Sequence, residues 1–261
     1  MPRPRANPPL ATQSLMRFDA VDALRGFAMV WMTAFHFCFD LQHFGHLQAN
    51  FYNDPFWTWQ RVAIVSLFTF CAGLGQAIAV MQQQPLARFW KRWRQIALCA
   101  LLVTAGSFVM YPQSFIYFGI LHGMAAMLIV VRFFSPSGLW LWVCGAVAIA
   151  LPQLAASAHA AWPALEVLNA SALNWLGFIS RKPVTEDYAP LLPWIGVMLL
   201  GMAAGRWLLH ARPQWLQLRL IGVFKPLTWL GRWSLSYYMV HQPVLIGLLS
   251  LVSLAGVLPA K

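Results

Sequence analysis

The sequence predicts an all-α protein, a polytopic transmembrane helix bundle of about seven spans with its N-terminus in the cytoplasm and its C-terminus outside. Of its 261 residues, 60% are hydrophobic and only 10% are charged, whereas soluble domains average about 25% charged residues. Its apolar runs are long enough to cross a hydrocarbon core of about 30 Å. Residues 1–16 are proline-rich and are predicted to form a disordered cytoplasmic tail. No insertion is long enough for a second domain, so residues 17–261 are predicted to form a single transmembrane domain.

The first predicted span, residues 19–43, carries a polar stripe through an otherwise apolar helix. Alternating steps of four and three residues place seven positions on one helix face. These positions are Asp22, Gly26, Met29, Thr33, His36, Asp40 and His43. An ionisable side chain at membrane depth is costly unless it faces a partner or a wet cavity. We therefore expect the stripe to face the interior of the bundle.

Six further spans follow along the chain. Their predicted ranges are 57–81, 95–110, 114–132, 139–156, 190–209 and 227–257. Residues 82–94 are predicted to be a basic loop, and residues 157–188 to contain a helix lying in the membrane interface, because Trp and Leu recur there. Gly201 and Gly205 form a G-x-x-x-G pattern typical of closely packed membrane helices. Pro243 is predicted to kink the overlong seventh span.

The distribution of cations predicts the orientation. A net charge of +11 on a soluble protein would suggest nucleic acid, but these cations flank apolar runs and fit lipid headgroups instead. With the N-terminus inside, the inner side carries 14 of the 18 lysines and arginines, and the outer side carries Arg181, Lys182 and Lys261. The four cysteines are dispersed in apolar runs, so neither a disulfide framework nor a metal site is predicted.

Four blocks of the sequence resemble the transmembrane acyltransferases. The blocks are RFDAVDALRGFAMVWMTAFH at 17–36, FGILHG at 118–123, DYAPLLPWIGVMLLGMAAGR at 187–206 and WLGRWSLSYYMVHQPVL at 229–245. Together they are most similar to small bacterial proteins related to heparan-α-glucosaminide N-acetyltransferase, with a first helix like that of the acyltransferase-3 proteins. The resemblance implies transfer of an acetyl or other acyl group from cytoplasmic acyl-CoA to a sugar amine or hydroxyl across the membrane.

The resemblance leaves open which histidine is catalytic. In the acyltransferase-3 branch the catalytic residue is a membrane histidine eleven residues after the arginine of an RG pair, as His36 lies after Arg25 here. The resemblance therefore implies that His36 acts as general base or carries the acyl group briefly. The heparan-α-glucosaminide branch carries Asn at that position and has its catalytic histidine nearer the outer loop, where this chain offers His43 and His46. His122, which follows FGIL, is a further candidate.

Five ionisable residues form the predicted catalytic group: His36, Asp40, Arg61, His122 and His241. Asp40 either orients the imidazole of His36 or forms a salt bridge with Arg61. Arg61 either stabilises an oxyanion or binds an acceptor carboxylate. Structural hydrogen bonding is a competing role for His122 and His241. Counting along the predicted helices places all five in one layer, where we expect them to line a single cavity with His36 and Asp40 in direct or one-water contact.

Acyl-CoA is the expected co-substrate. Its phosphates are predicted to bind the inner-face cations Arg25, Arg88 and Arg92, which would equally serve as positive-inside signals. On the outer side, the predicted acceptor-binding residues are Asp187, His43 and Gln242. Asp187 alternatively begins the sixth span as an N-terminal acid.

Two other functions compete with acyl transfer. Chains of His and Asp in membrane spans also mark proton relays, so a proton-coupled small-solute transporter is the main alternative. No segment of the first half recurs in the second, as transporter repeats would. The other alternative is a non-catalytic partner in envelope polysaccharide export. The predicted location is the bacterial cytoplasmic (inner) membrane, with lipid and a saccharide or glycan acceptor as partners, no nucleic acid, and a homodimer left open.

Overall fold

A computed structural model describes residues 16–218 and 221–255, apart from the side chain of Val223. Within these residues the long elements are all helices, and the one isolated β-bridge joins Phe118 and Tyr188. Residues 1–15 of the predicted tail and the predicted end of span seven at Val257 lie outside the described residues. The same holds for four cations used to predict the orientation, namely Arg3, Arg5, Arg219 and Lys261.

The described helices follow one another with mostly short connections. They are α1 (Asp19–His43), α2 (Pro55–Met81), α3 (Leu86–Met110), α4 (Ile120–Phe134), α5 (Trp140–Ala150), α6 (Ala155–Ala161), α7 (Leu191–Ala211), α8 (Pro213–Leu216), α9 (Lys225–Arg232) and α10 (Ser234–Leu254). Five helical stretches are long and apolar enough to cross a membrane: α2, α3, α5 continued by α6, α7 and α10. The chain is therefore an integral membrane helix bundle. The short apolar α4 and the charged α1 are not among the five.

The packing of α7 against α2 lies at the centre of the bundle. Gly73 of α2 faces the backbone of Met198, and Gly201 of α7 faces the backbone of Phe70. A methyl group at either glycine would collide with a carbonyl oxygen. Gly205 lies against Ala77 one turn further along. The close packing predicted from the G-x-x-x-G pattern is confirmed, and its stabilisation comes from van der Waals contact between backbones.

The first helix packs against the last part of the chain, α9 and α10, as well as against α2. Gly26 of α1 faces the carbonyl oxygen of Leu227, and Gly231 of α9 faces that of Asp22, so the two backbones are in direct contact. The polar stripe of α1 lies on this interior face, with Asp22, Gly26, Met29 and Asp40 buried. His43, at the end of the stripe, is exposed.

Two predicted boundaries differ from the structure on the basic side of the bundle. The predicted basic loop 82–94 contains only four non-helical residues, 82–85, because α3 begins at Leu86. Its Arg and Lys residues therefore lie on the first turns of a membrane helix. The predicted seventh span is two helices, since the chain departs from helical geometry at Trp233 (φ −101°, ψ 17°), between α9 and α10. Pro243, the predicted site of a kink, lies inside α10, which continues through it.

The long connection before α7 also differs from the prediction. Within residues 157–188, the predicted location of an interfacial helix, α6 ends at Ala161 and two 3₁₀ helices follow, Pro163–Asn169 and Asn174–Leu176. Side-chain hydrogen bonds replace helical ones here: Asn169 Oδ1 accepts from the backbone N–H groups of Ser180 and Arg181. Gly177 has a positive φ of 89°, which ends the second turn.

The start of α4 is set by the same connection. Residues before Ile120 are not helical, because they bond to the segment that precedes α7. Glu186 N donates to Ser114 O at 2.9 Å, and Ala189 N donates to Phe118 O at 3.2 Å. The helix predicted from residue 114 therefore begins only at Ile120.

Candidate functional site

A cluster of polar side chains joins α1 and α10 inside the bundle. The imidazole rings of His36 and His241 lie 5.2 Å apart, centroid to centroid, in an edge-on arrangement. Beside them, Gln242 Nε2 donates a 2.7 Å hydrogen bond to Asp40 Oδ1. The helical spacing of His36 and Asp40, one turn apart, directs both side chains towards α10. We call these four residues the histidine cluster.

One ring nitrogen of His241 is committed to the backbone. Nδ1 lies 2.6 Å from the carbonyl oxygen of Tyr238, and because a carbonyl only accepts, Nδ1 must carry the hydrogen. In the neutral ring, Nε2 then presents a lone pair. Nε2 is buried and bonds to no described residue. His241 thus has the tautomer that a general base requires.

The other members of the histidine cluster also have buried atoms without partners among the described residues. These atoms are His36 Nδ1, Asp40 Oδ2 and Gln242 Oε1. Buried polar groups in proteins are nearly always hydrogen-bonded, so several orphans in one place point to a ligand or water site. The carboxylate oxygen, the amide oxygen and the His241 nitrogen all accept hydrogen bonds. The histidine cluster is therefore suited to a molecule that brings N–H or O–H donors.

Neighbouring contacts fix the orientation of the His241 ring. Tyr237 stacks on it with an interplanar angle of 13° and a centroid distance of 6.1 Å. The Tyr237 hydroxyl lies 2.7 Å from the hydroxyl of Thr33, another member of the polar stripe of α1. The hydrogen bond between Thr33 and Tyr237 thus ties α1 to α10 next to the site.

A cavity of about 280 Å³ approaches the histidine cluster from the basic end of the bundle, the end at which α1 and α3 begin. Arg25 and Arg92 line it together with Gln76, and its walls are otherwise largely apolar. On α10 it reaches Tyr238, whose ring lies 5.5 Å from that of His241. The cavity thus connects two of the predicted phosphate-binding cations with the neighbourhood of the histidine cluster.

The third predicted cation, Arg88, lies outside this cavity. It lines an adjacent groove with Arg17 and Gln82, and the groove and the cavity share Gly75, Ala79 and Gln84. The basic end therefore offers cations along one continuous surface from the groove into the bundle. Arginine binds phosphate in bidentate geometry, so this surface suits the phosphates of a nucleotide-bearing ligand.

A second buried carboxylate on α1, Asp22, has a very different environment. It accepts hydrogen bonds from Arg17 at 3.1 Å and from Arg25 at 3.2 Å, and Arg232 Nε lies 3.5 Å away. Arg232 also donates to Asp19 at 2.9 Å. This ion cluster fastens α9 to α1 and places the Arg25 guanidinium beside the cavity.

The structure does not bring Arg61 and Asp187 into the histidine cluster. No salt bridge between Asp40 and Arg61 is found among residues 16–218 and 221–255. Asp187 Oδ2 instead accepts from Ile120 N at 2.8 Å, so the carboxylate caps α4 and not α7. Burial raises the pKa of Asp187 above its usual range, while the Ile120 hydrogen bond, Arg61 and Lys182 act in the opposite direction. Within the described residues, no hydrogen bond or salt bridge connects Arg61 to the histidine cluster.

The remaining histidine candidates also lie apart from the cluster. His122 Nε2 lies 3.1 Å from Thr104 Oγ1, which itself donates to the carbonyl oxygen of Ile116, so the ring is tied to α3. Neither a hydrogen bond nor a ring contact connects it to His36 or His241 within the described part of the chain. His43 is exposed, and His46 lies in the following loop. No group of His, Cys, Asp and Glu that could hold a metal ion occurs among the described residues.

Two lining residues, Gln76 and Tyr238, were not predicted from the sequence. Gln76 Oε1 is buried without a partner among the described residues and lines the cavity. Both residues stand in apolar runs where a single amide or phenol gives little signal. Tyr238 could have been found from its spacing, because it lies three residues before His241 and so shares a helix face with it.

Comparison with known proteins shows the family of the chain. A family model described as heparan-alpha-glucosaminide N-acetyltransferase, catalytic, matches residues 17–243, which is well over half of the chain. The matched range includes the histidine cluster, the ion cluster and the cavity. No curated protein and no solved structure gives a significant match. The family resemblance inferred from the sequence blocks is confirmed, and the chain belongs to the heparan-alpha-glucosaminide N-acetyltransferase catalytic family.

Proposed function

We propose that this membrane acyltransferase moves an acetyl or other acyl group from cytoplasmic acyl-CoA to a sugar amine or hydroxyl on the outer side of the membrane. The observation that carries the proposal is the histidine cluster, with its four buried atoms that have no partner among the described residues. Three of these atoms accept hydrogen bonds, and an amine or hydroxyl is a donor. An acceptor substrate would therefore satisfy groups that the protein leaves open.

In the proposed reaction His241 is the general base. Nε2 takes the proton from the acceptor amine or hydroxyl while that nitrogen or oxygen forms a bond to the thioester carbonyl carbon. The carbon–sulfur bond then breaks, and the thiolate of CoA leaves with the proton that His241 returns. Asp40, Gln242 and His36 bind and orient the acceptor. The products are the acylated sugar and free CoA.

The cavity supports the choice of acyl-CoA as donor. Arg25 and Arg92 provide cations for phosphate groups. The apolar walls between them and Tyr238 suit the narrow, flexible chain of acyl-CoA that ends in the thioester. At about 280 Å³ the cavity is smaller than sites that enclose a whole drug-sized ligand, typically 300–1,000 Å³. The nucleotide would thus remain at the basic end, along the groove with Arg17 and Arg88.

The reaction is tested with purified protein in lipid nanodiscs, radiolabelled acetyl-CoA and a panel of amino sugars and neutral sugars. We expect transfer of label and release of CoA by the wild type. His241→Gln should lower the rate about 10²- to 10⁴-fold, the usual contribution of a general base, with a smaller loss in His36→Gln. His210→Gln, at the exposed end of α7, is the control with unchanged rate. Proton-coupled sugar uptake into proteoliposomes without any CoA release would instead favour a transporter.

We further propose seven spans, formed by the five long apolar stretches together with α1 and α4, with the N-terminus inside. The charge asymmetry supports this orientation. In intact cells, an impermeant maleimide should label Asn50→Cys and Lys182→Cys but not Gln83→Cys. The four native cysteines are buried or half-buried, so we expect them to react weakly. The protein without an added cysteine is the control that measures this background labelling. Labelling of Gln83→Cys before lysis would contradict the orientation without affecting the assignment of the reaction.

A further inference from the structure

Tyr238 stands where the cavity from the basic end meets the histidine cluster. Its side chain lines the cavity, and its ring lies 5.5 Å from the ring of His241 at an interplanar angle of 51°. Its own carbonyl oxygen accepts the Nδ1 hydrogen of His241. The residue therefore touches both the space proposed for the thioester and the proposed base.

The hydroxyl of Tyr238 differs from those of its neighbours in having no internal partner. The Tyr237 hydroxyl bonds to Thr33, and the Tyr188 hydroxyl donates to the carbonyl oxygen of Asn174. The Tyr238 hydroxyl forms no hydrogen bond with any of the described residues. It is also absent from the fully buried atoms without a partner, so it is accessible from a space inside the protein. A phenol in an apolar wall normally finds a partner. This one is available to a molecule in the cavity.

We propose that the Tyr238 hydroxyl donates a hydrogen bond to the carbonyl oxygen of the bound thioester, an inference that rests on the proposed acyl transfer. When the acceptor attacks, the carbonyl carbon becomes tetrahedral and negative charge develops on that oxygen. The phenol keeps its proton and stabilises the charge, and no atom is exchanged with the substrate. When the carbon–sulfur bond breaks, the carbonyl re-forms and the hydrogen bond weakens again.

The position of Tyr238 suits this role better than that of Arg61, the residue predicted from the sequence to stabilise an oxyanion. Arg61 is not among the residues that line the cavity, whereas Tyr238 is. A preorganised neutral donor in a largely apolar space stabilises developing negative charge more strongly than it would in bulk water. Removal of one such donor typically lowers kcat about 10²- to 10³-fold.

The experiment compares Tyr238→Phe with wild type and with Tyr52→Phe, the same chemical change on an exposed loop. Steady-state transfer gives kcat and KM, calorimetry gives the Kd for free CoA, and thermal unfolding reports the fold. CoA lacks the acyl carbonyl, so Tyr238→Phe should bind it as tightly as wild type and melt at the same temperature. Its kcat should fall about 10²- to 10³-fold, and Tyr52→Phe should match wild type.

The outcomes separate this inference from the proposed function. An active wild type with a Tyr238→Phe kcat within threefold of it would overturn the role of Tyr238 alone. A Tyr238→Phe variant that loses CoA affinity or melts much earlier would also overturn it, because Tyr238 would then be a packing residue. A wild type that transfers no acyl group to any acceptor would overturn the proposed function and this inference together.

Discussion

Two buried carboxylates on α1, Asp22 and Asp40, have very different sets of hydrogen-bond and salt-bridge partners. Asp22 is 5% exposed and Asp40 is 3% exposed, and both lie on the polar stripe of α1. Asp22 interacts with three arginines, from α1, its N-terminal flank and α9. Asp40 has one neutral partner, Gln242, and an oxygen with none among the described residues. Equally buried carboxylates can thus have different roles. Asp22, which has several cationic partners, is a structural carboxylate, whereas Asp40, which has one neutral partner among the described residues, is a candidate functional one.

The largest expected effect comes from separating α9 from α1, which removes the ion cluster as a whole. In Gly231→Ala the added methyl group would collide with the carbonyl oxygen of Asp22, and both groups are backbone-anchored. We expect little folded protein, measured by size-exclusion chromatography after detergent extraction. Gly247→Ala in α10 is the matched control, since no atom lies within 4 Å of the added carbon. Normal yields from Gly231→Ala would mean that α9 can move away without loss of the fold.

The next largest effects come from substituting each of the two carboxylates by asparagine. Asp40→Asn should lower acyl transfer about 10- to 100-fold, equivalent to one charge-assisted hydrogen bond of about 1.5–3 kcal/mol, and should melt near the wild-type temperature. Asp22→Asn should instead lower the free energy of unfolding by about 2 kcal/mol, less than a fully buried pair because Arg17 and Arg232 are accessible to solvent.

Both variants are measured for transfer rate and for thermal unfolding in the same nanodiscs. We expect Asp40→Asn to change mainly the transfer rate and Asp22→Asn to change mainly the thermal unfolding. If Asp40→Asn destabilises the protein as much as Asp22→Asn does, the histidine cluster is a structural network and the distinction fails.

The smallest expected effect concerns the basic end. Arg92 lines the cavity, whereas Lys91 beside it on α3 does not. Arg92→Gln should weaken acetyl-CoA binding about three- to tenfold, since a phosphate contact at a solvent-accessible site contributes roughly 1 kcal/mol. Lys91→Gln should leave the Kd unchanged. Calorimetry measures the Kd of both variants. If acetyl-CoA binds equally weakly to Arg92→Gln and Lys91→Gln, the basic end of the bundle attracts acetyl-CoA only through its overall positive charge.

The sequence predicted the helices with periodic patterns and missed those defined by long-range contacts. The bounds of α1 and the burial of its polar stripe followed from hydropathy and spacing. The start of α4 could not be predicted, because it depends on Asp187, 67 positions from Ile120, capping its first N–H. The break at Trp233 has no proline or glycine at its own position to mark it, and it lies two residues after Gly231, whose backbone contacts α1.

The candidate site was predicted in part for the same reason. His36, Asp40, His241 and Gln242 stand out as polar groups in membrane spans, so they could be named before their contacts were known. Counting residues along helices placed Arg61 and His122 in the same layer. Depth alone does not tell which side of a helix faces which neighbour, and in the structure His122 lies beside Thr104, while Arg61 bonds to no member of the histidine cluster among the described residues.

The contact between the first and the last helices has a consequence for how the protein is made. Asp40 and Gln242 are 202 positions apart in the chain, and Thr33 and Tyr237 are 204 apart. During synthesis α1 therefore reaches the bilayer long before its partners leave the ribosome. Until then Asp22 lacks Arg232, and Asp40 lacks Gln242, in a solvent that penalises unpaired polar groups. A chain truncated before α9 would thus keep Arg17 and Arg25 beside Asp22 but leave Asp40 without Gln242, so the second carboxylate depends on completion of the chain.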